Sequence, residues 1–125
     1  MTMDRFEVGQ SFVLTEKVTK EHTTNRMGRE GADVLSTPAL LGLMEGASIQ
    51  ASEEFVPEGY TTVGYAVDSL RHIAPTAIGE TVTVTSTLKA VDRNRLTYEI
   101  EANEGEKRIA SATHKRAVIS TDPNA

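Results

Sequence analysis

Cysteine and tryptophan are both missing from this chain of 125 residues, and aromatic content is limited to three phenylalanines and three tyrosines. Without cysteine there is no disulfide, no thiolate metal ligand and no cysteine nucleophile, so nothing in the chain calls for an oxidising compartment. Positive charge is also scarce, with 13 lysines and arginines against 18 aspartates and glutamates and a net charge of −5. No basic run or aromatic platform stands out, and a nucleic-acid partner is not expected. No stretch approaches the roughly 20 apolar residues of a membrane span. The opening MTMDRFEVGQ is polar and lacks the apolar core of a secretory leader, so a cytoplasmic protein without membrane contact is expected. A hydrophobic content of 38% over this length suffices for one domain, spanning residues 1–125, with a modest core.

What the chain does contain is a well-marked helix. In Ser36 to Ile49, STPALLGLMEGASI, Thr37 suits the N-cap and Pro38 the first helical position, where no N–H is required. Leu40, Leu43, Met44, Ala47 and Ala51 recur at helical spacing and predict one buried face. Glycine costs about 1 kcal/mol against alanine inside a helix. Gly42 and Gly46, with Ala47, therefore predict close approach of this helix to a sheet. Glu45 is the one carboxylate in the run. On the flank of an apolar face it either reaches solvent, pairs with a cation, or sits in a cleft with altered proton affinity, the setting from which general bases are drawn. Charged residues are mostly exposed, and a solvated edge residue is the ordinary outcome.

The remaining segments read as strands. Ser11 to Thr19 is rich in β-formers. Lys20 to Ser36 is charged, with two glycines and little periodicity, and predicts a long loop or lid with a short helical turn. Val56 to Thr62 is an exposed connection, and Val63 to Ile73 a strand partly buried on both sides, broken by Pro75 and Gly79. In TVTVTSTLKAV, Val82, Val84, Leu88 and Ala90 alternate with polar residues, and Leu96, Tyr98 and Ile100 repeat the pattern in LTYEIEA. Turns at Asp92 to Arg95 and Glu104 to Lys107 then predict a three-stranded antiparallel meander ending in RIASATHKRAVIS, Arg108 to Ser120. One strand, one apolar helix and four further strands make an α+β pattern, solved by wrapping an antiparallel sheet around one long helix, the hot-dog arrangement. Its open edge favours pairing with a second copy.

Three runs, VLSTPALLGLMEGAS, SLRHIAPTAIGETVTVTSTLKAV and IASATHKRAVI, in that order and spacing, resemble the hot-dog thioesterases of the fluoroacetyl-CoA thioesterase type. The resemblance covers about the last three quarters of the chain. It implies an acyl-CoA substrate, no cofactor beyond the coenzyme A of that substrate, a homodimer or dimer of dimers with pockets between subunits, and a catalytic trio at Thr37, Glu45 and His72. Two departures bear on the substrate. Aromatic residues close the pocket ahead of the helix in that type, whereas Met27 to Ser36, MGREGADVLS, has none. Tyr65 beside Gly64 stands where the family carries glycine on the strand before its histidine. A short or medium acyl group without strict fluoroacetyl selectivity is therefore expected, with Gly64, Tyr65 and Arg116 as contacts for the coenzyme A side.

The residue types suit that chemistry. Thioester hydrolysis needs a nucleophile or activated water, a base, and donors facing the developing oxyanion. The helix start at Thr37 offers backbone N–H groups and the positive end of the dipole. Glu45 lies about 12 Å further along the axis, so a long substrate or a second subunit must bridge the two. Period two puts Asp68 on the strand face of His72, where it would orient the imidazole. His22 reads as a solvent-facing loop residue and His114 as structural or functional alike; the three histidines lack metal-ligand spacing, and no metal is expected. Arg116 at a cleft mouth would hold a phosphate of coenzyme A, with Arg71 and Lys115 weaker candidates. Two alternatives stay open. Asp68 with His72 would suit an enoyl-CoA hydratase, although the Asp-x-Asn-Pro-x-His pattern is missing, and a non-catalytic acyl-CoA binder or sensor would keep the same fold.

Overall fold

The helix begins one residue earlier than the sequence predicts. In the computed structural model, which describes residues 1–23 and 33–124, α1 runs Thr37–Glu53 and its N-cap is Ser36, whose hydroxyl accepts from the Ala39 N–H at 3.3 Å. Thr37 is therefore the first helical residue and Pro38 the second. The serine wins the cap because its extended backbone aims the short side chain back into the first turn. Thr37 keeps a hydroxyl with no capping duty. Leu40, Met44, Ala47 and Ala51 are buried with Leu43 partly so, as the spacing predicts, and Ser48 and Ser52 join them. Ser48 is satisfied by the Met44 carbonyl at 3.0 Å and the Ser86 hydroxyl at 2.8 Å.

Five strands follow the predicted order: β1 (Ser11–Lys17), then after the helix β2 (Tyr60–His72), β3 (Thr81–Asp92), β4 (Arg95–Glu104) and β5 (Lys107–Ser120). They form one antiparallel sheet in the order β1-β3-β4-β5-β2, with α1 against its inner face. The meander β3-β4-β5 carries the core opposite the helix: Val82, Val84, Leu88, Leu96, Tyr98 and Ile100 are all buried. Ala90 departs from the alternation. A bulge between Leu88 and Ala90 turns Ala90 out and brings Val91 toward the core instead. Val18 leaves the first strand early because its backbone pairs with the 79–80 connection, donating to the Glu80 carbonyl at 2.9 Å. A 3-10 turn at Lys20–His22 follows, and residues 24–32, the middle of the expected lid and most of the Met27 to Ser36 stretch, lie outside the described residues.

β2 is an edge strand, and one of its faces is exposed rather than partly buried. Val63, Tyr65 and Val67 are exposed, and only β5 pairs with this strand among the described elements. Two bulges, between Gly64 and Ala66 and between Asp68 and Arg71, interrupt its register, and Ser69 takes a left-handed φ of 55°. The expectation for Gly42 and Gly46 also changes. A Cβ at either would meet nothing within 4 Å, so neither glycine is demanded by contact with this chain's own sheet.

Candidate active site

Two polar clusters lie along α1, one at its start and one two turns further on. At the start, the free hydroxyl of Thr37 meets Nδ1 of His72, the last residue of β2, at 2.9 Å. His72 also lines a cavity of about 220 Å³ with Val34, Leu35, Ile73, Ala74 and Pro75, and its Nε2 is buried with no hydrogen-bond partner among the described residues. Burial pushes the His72 imidazole below its usual value of 6.5, with a backbone hydrogen bond at Ala74 working against the shift. The neutral ring is thus favoured. As an oxyanion site the helix start is narrower than a bare terminus. Pro38 has no N–H, and those of Ala39 and Leu40 go to the hydroxyl and carbonyl of Ser36. The first turn then rests on the N–H of Thr37.

Asp68 does not orient His72. The bulge after Asp68 breaks the alternation that would align them, and the Asp68 carboxylate faces Lys115 Nζ at 3.8 Å. The aspartate–histidine pair on which a hydratase would depend is therefore not formed within the chain, and Lys115 is paired with a carboxylate. His22 folds over its own turn, accepting from the Thr19 N–H at 2.9 Å, with Glu16 at 3.7 Å.

The second cluster is built around Glu45. Its Oε2 accepts from Arg116 Nη1 at 3.1 Å and lies 3.7 Å from His114 Nε2. Of the three fates open to this glutamate, the structure adopts pairing with a cation while the side chain stays 48% exposed. Arg116 is not an exposed clamp for phosphate; it is 3% exposed, and its guanidinium is spent on internal partners. His114 is buried too. Its Nδ1 donates to the Ala66 carbonyl at 2.8 Å, leaving Nε2 to accept from Arg116 Nη1 at 3.2 Å. Burial lowers His114 below its usual value, with Ala66 opposing and the arginine charge reinforcing the shift. Tyr98, close to the same guanidinium, is pushed up to about 12 by burial and adds no charge.

Gly64 explains itself here. A Cβ on it would stand 2.6 Å from Glu45 Oε2 and 2.8 Å from His114 Cε1, so a side chain here would displace the carboxylate and press on the buried imidazole. Glu45, Gly64, Tyr65 and His114 border an open pocket of about 370 Å³ together with Leu41, Ala66 and Val67. On the outer side the Tyr65 ring is stacked by the Arg95 guanidinium at 5.0 Å. Of the predicted trio, then, Thr37 and His72 touch each other, while Glu45 belongs with His114 and Arg116. The sequence offered a signal for that partnership. Period two on β5 puts His114 and Arg116 on the same inward face as Ala112 and Val118, and an arginine on a core face requires a partner.

A model of the FlK family, fluoroacetyl-CoA-specific thioesterase, matches residues 18–122. The chain belongs to this thioesterase family. It is 34% identical over 122 residues to the fluoroacetyl-CoA thioesterase of Streptantibioticus cattleyicolor, covering 93% of this chain and 87% of that protein. Among solved structures, the fluoroacetyl-CoA thioesterase FlK superposes with a TM-score of 0.84 at 33% identity, over 92% of this chain and 89% of that one. A hot-dog-like protein from Thermanaerovibrio acidaminovorans gives 0.87 at 28% identity, over 95% and 87%. The fold of this FlK-family member is accordingly the hot-dog fold.

The two histidines give the family member a pH signature. Both are held below 6.5 by burial, so the unfolded chain binds their protons more readily than the folded one. Their contribution to stability is complete above the unfolded value and is lost as the pH falls through 6.5 toward the folded values. Thermal unfolding followed by circular dichroism should show a midpoint that is flat from about pH 7 to 8 and drops below about pH 6.5. A midpoint that rises on acidification through this window would contradict the burial of both rings.

Proposed function

We propose that the protein is an acyl-CoA thioesterase that hydrolyses a short or medium acyl-CoA to the free acid and coenzyme A. The observation that carries this reading is the Thr37–His72 hydrogen bond at the helix start, with an anchored carboxylate, Glu45, two turns along the same helix. Family membership supports the reaction class. Glu45 attacks the thioester carbonyl carbon or takes a proton from the water that does; the charge that develops on the carbonyl oxygen meets the Thr37 end of the helix. Collapse breaks the C–S bond, and the sulfur leaves as a thiolate that takes up a proton to become the thiol of coenzyme A. Where Glu45 is the attacking group, water then cleaves the resulting mixed anhydride, releasing the free acid and restoring the carboxylate. His72, neutral and hydrogen-bonded to Thr37, is placed to pass a proton.

The axial separation of Thr37 and Glu45, about 12 Å, supports a pocket shared by two subunits of a homodimer or dimer of dimers. Gly64 and Tyr65 border the coenzyme A side, and Arg116 acts from beneath Glu45 rather than on a phosphate. No cofactor is required beyond the substrate's own coenzyme A. No helix among the described residues is long and apolar enough to cross a membrane, and the cytoplasm is the proposed location for the whole hot-dog domain.

Purified protein assayed against acyl-CoAs from acetyl to dodecanoyl, with thiol release and enoyl hydration both followed, tests the reading. Thiol release on the shorter members, by a species that sediments as a dimer or larger, is expected. Tight acyl-CoA binding without thiol release would put the sensor in its place, and hydration without hydrolysis the hydratase.

A further inference from the structure

A guanidinium has five N–H donors, and burying it is costly unless they are met. In Arg116 four of the five are assigned. Nη1 donates to Glu45 Oε2 at 3.1 Å and to His114 Nε2 at 3.2 Å, Nη2 to the Thr62 carbonyl at 3.0 Å, and Nε to the Thr62 hydroxyl at 3.0 Å. The chain of donors then continues in one direction. With its oxygen accepting from Nε, the Thr62 hydroxyl donates to Ser52 Oγ at 3.2 Å, and Ser52 donates to the Ile49 carbonyl at 2.9 Å. Thr62, Ser52, His114 and Arg116 are all buried.

The relay begins and ends on the same helix. Glu45 and Ser52 are seven residues apart, about 10.5 Å along the axis and nearly on one azimuth. The guanidinium therefore pins α1 to the β2–β5 pair at two heights, once through Glu45 and once through Thr62 and Ser52. His114, fixed by the Ala66 carbonyl as an acceptor at Nε2, takes one Nη1 proton and directs the other to Glu45. We propose that Thr62 and Ser52 are positioning residues for Glu45: acting through Arg116, they hold its carboxylate in the place from which it works. This inference rests on the thioesterase reading of the site.

Thr62→Val keeps the shape and the β-branching but removes the acceptor for Nε, whereas Thr62→Ser keeps the hydroxyl. Misplacing a reacting group by about 1 Å costs up to about 10²-fold, so Thr62→Val is expected to lower kcat by about tenfold or more with KM within about threefold of wild type. Thr62→Ser should recover most of that loss. In a Glu45→Gln background Thr62→Val should lower the residual rate no further, because residues acting as one unit do not add. An unchanged kcat, a loss confined to KM, or the same factor lost in the Glu45→Gln background overturns the proposal. Should Thr62→Val fail to fold, Ser52→Ala breaks the outer link, and a kcat equal to wild type in that variant overturns it equally.

A second readout does not depend on turnover. The Arg116 Nε–H resonance, identified by its loss in Arg116→Lys, should exchange slowly with solvent in wild type and Thr62→Ser and rapidly in Thr62→Val. Slow exchange in Thr62→Val would show that the relay does not hold the arginine. If instead wild type releases no thiol, or Glu45→Gln works as well as wild type, while this exchange pattern holds, the thioesterase reading fails and the clamp stands.

Discussion

Glu45→Gln is expected to lower kcat for thioester hydrolysis by about 10²- to 10⁴-fold while the protein stays folded and still binds acyl-CoA. Glutamine has the shape of glutamate and its amide oxygen can still accept from Arg116, so the contact at 3.1 Å survives in neutral form. What disappears is the negative charge, and with it the capacity proposed for Glu45, either to attack the carbonyl or to take a proton from water. Arg116 then keeps its own charge in a buried place. Removing one partner of a fully buried pair costs about 3–5 kcal/mol, but Glu45 is about half exposed, so solvent already screens the pair and the loss of stability should fall below that range. Steady-state thiol release, with thermal unfolding alongside, separates the two effects. A decrease in kcat of less than about threefold would remove Glu45 from the chemistry.

Thr37→Ala and His72→Ala should each lower kcat by up to the same order, about 10²- to 10⁴-fold, and their effects should not add. The reason is the single hydrogen bond they share, 2.9 Å long. Once either partner is gone, the other has lost its orientation, and the double variant should be little slower than the poorer single one. The cap at Ser36 makes this test clean. Losing an N-cap costs about 1 kcal/mol, but Thr37 is not the cap, so Thr37→Ala should leave the unfolding midpoint close to wild type. Thr37→Ser retains the hydroxyl and should retain most of the turnover. Strictly additive losses, or wild-type turnover in His72→Ala on every hydrolysable acyl-CoA, would dissolve the pair as a catalytic unit.

The parts of this molecule that were legible in the sequence are those governed by local periodicity. The helix face of Leu40, Met44, Ala47 and Ala51 and the strand face of Leu96, Tyr98 and Ile100 needed only spacings of three to four and of two. Departures occur where tertiary structure overrides that spacing. Ala90 turns outward at a bulge, and Asp68 parts from His72 at another, because an extra residue in one strand reverses every face beyond it. The Thr37–His72 contact joins residues 35 apart, which no local rule reaches; the family resemblance supplied the two residues, and the fold supplied their meeting. The Glu45 cluster was half legible. The lone carboxylate stood out, whereas its partners were hidden in THKRAVI because an arginine on a strand reads first as a solvated one.

The broken register of β2 has a consequence for the solubility of the protein. An exposed, flat strand edge is a template onto which any extended chain can pair, and it is a standing route to aggregation. Here the edge is interrupted twice within thirteen residues, at Gly64/Ala66 and at Asp68/Arg71, leaving Tyr60 to Gly64 as its longest regular stretch. Self-propagating strand stacks draw on uninterrupted segments of about six or seven residues. The bulge beside Gly64 and the left-handed Ser69 beyond it thus make this edge a poor template for indiscriminate strand addition.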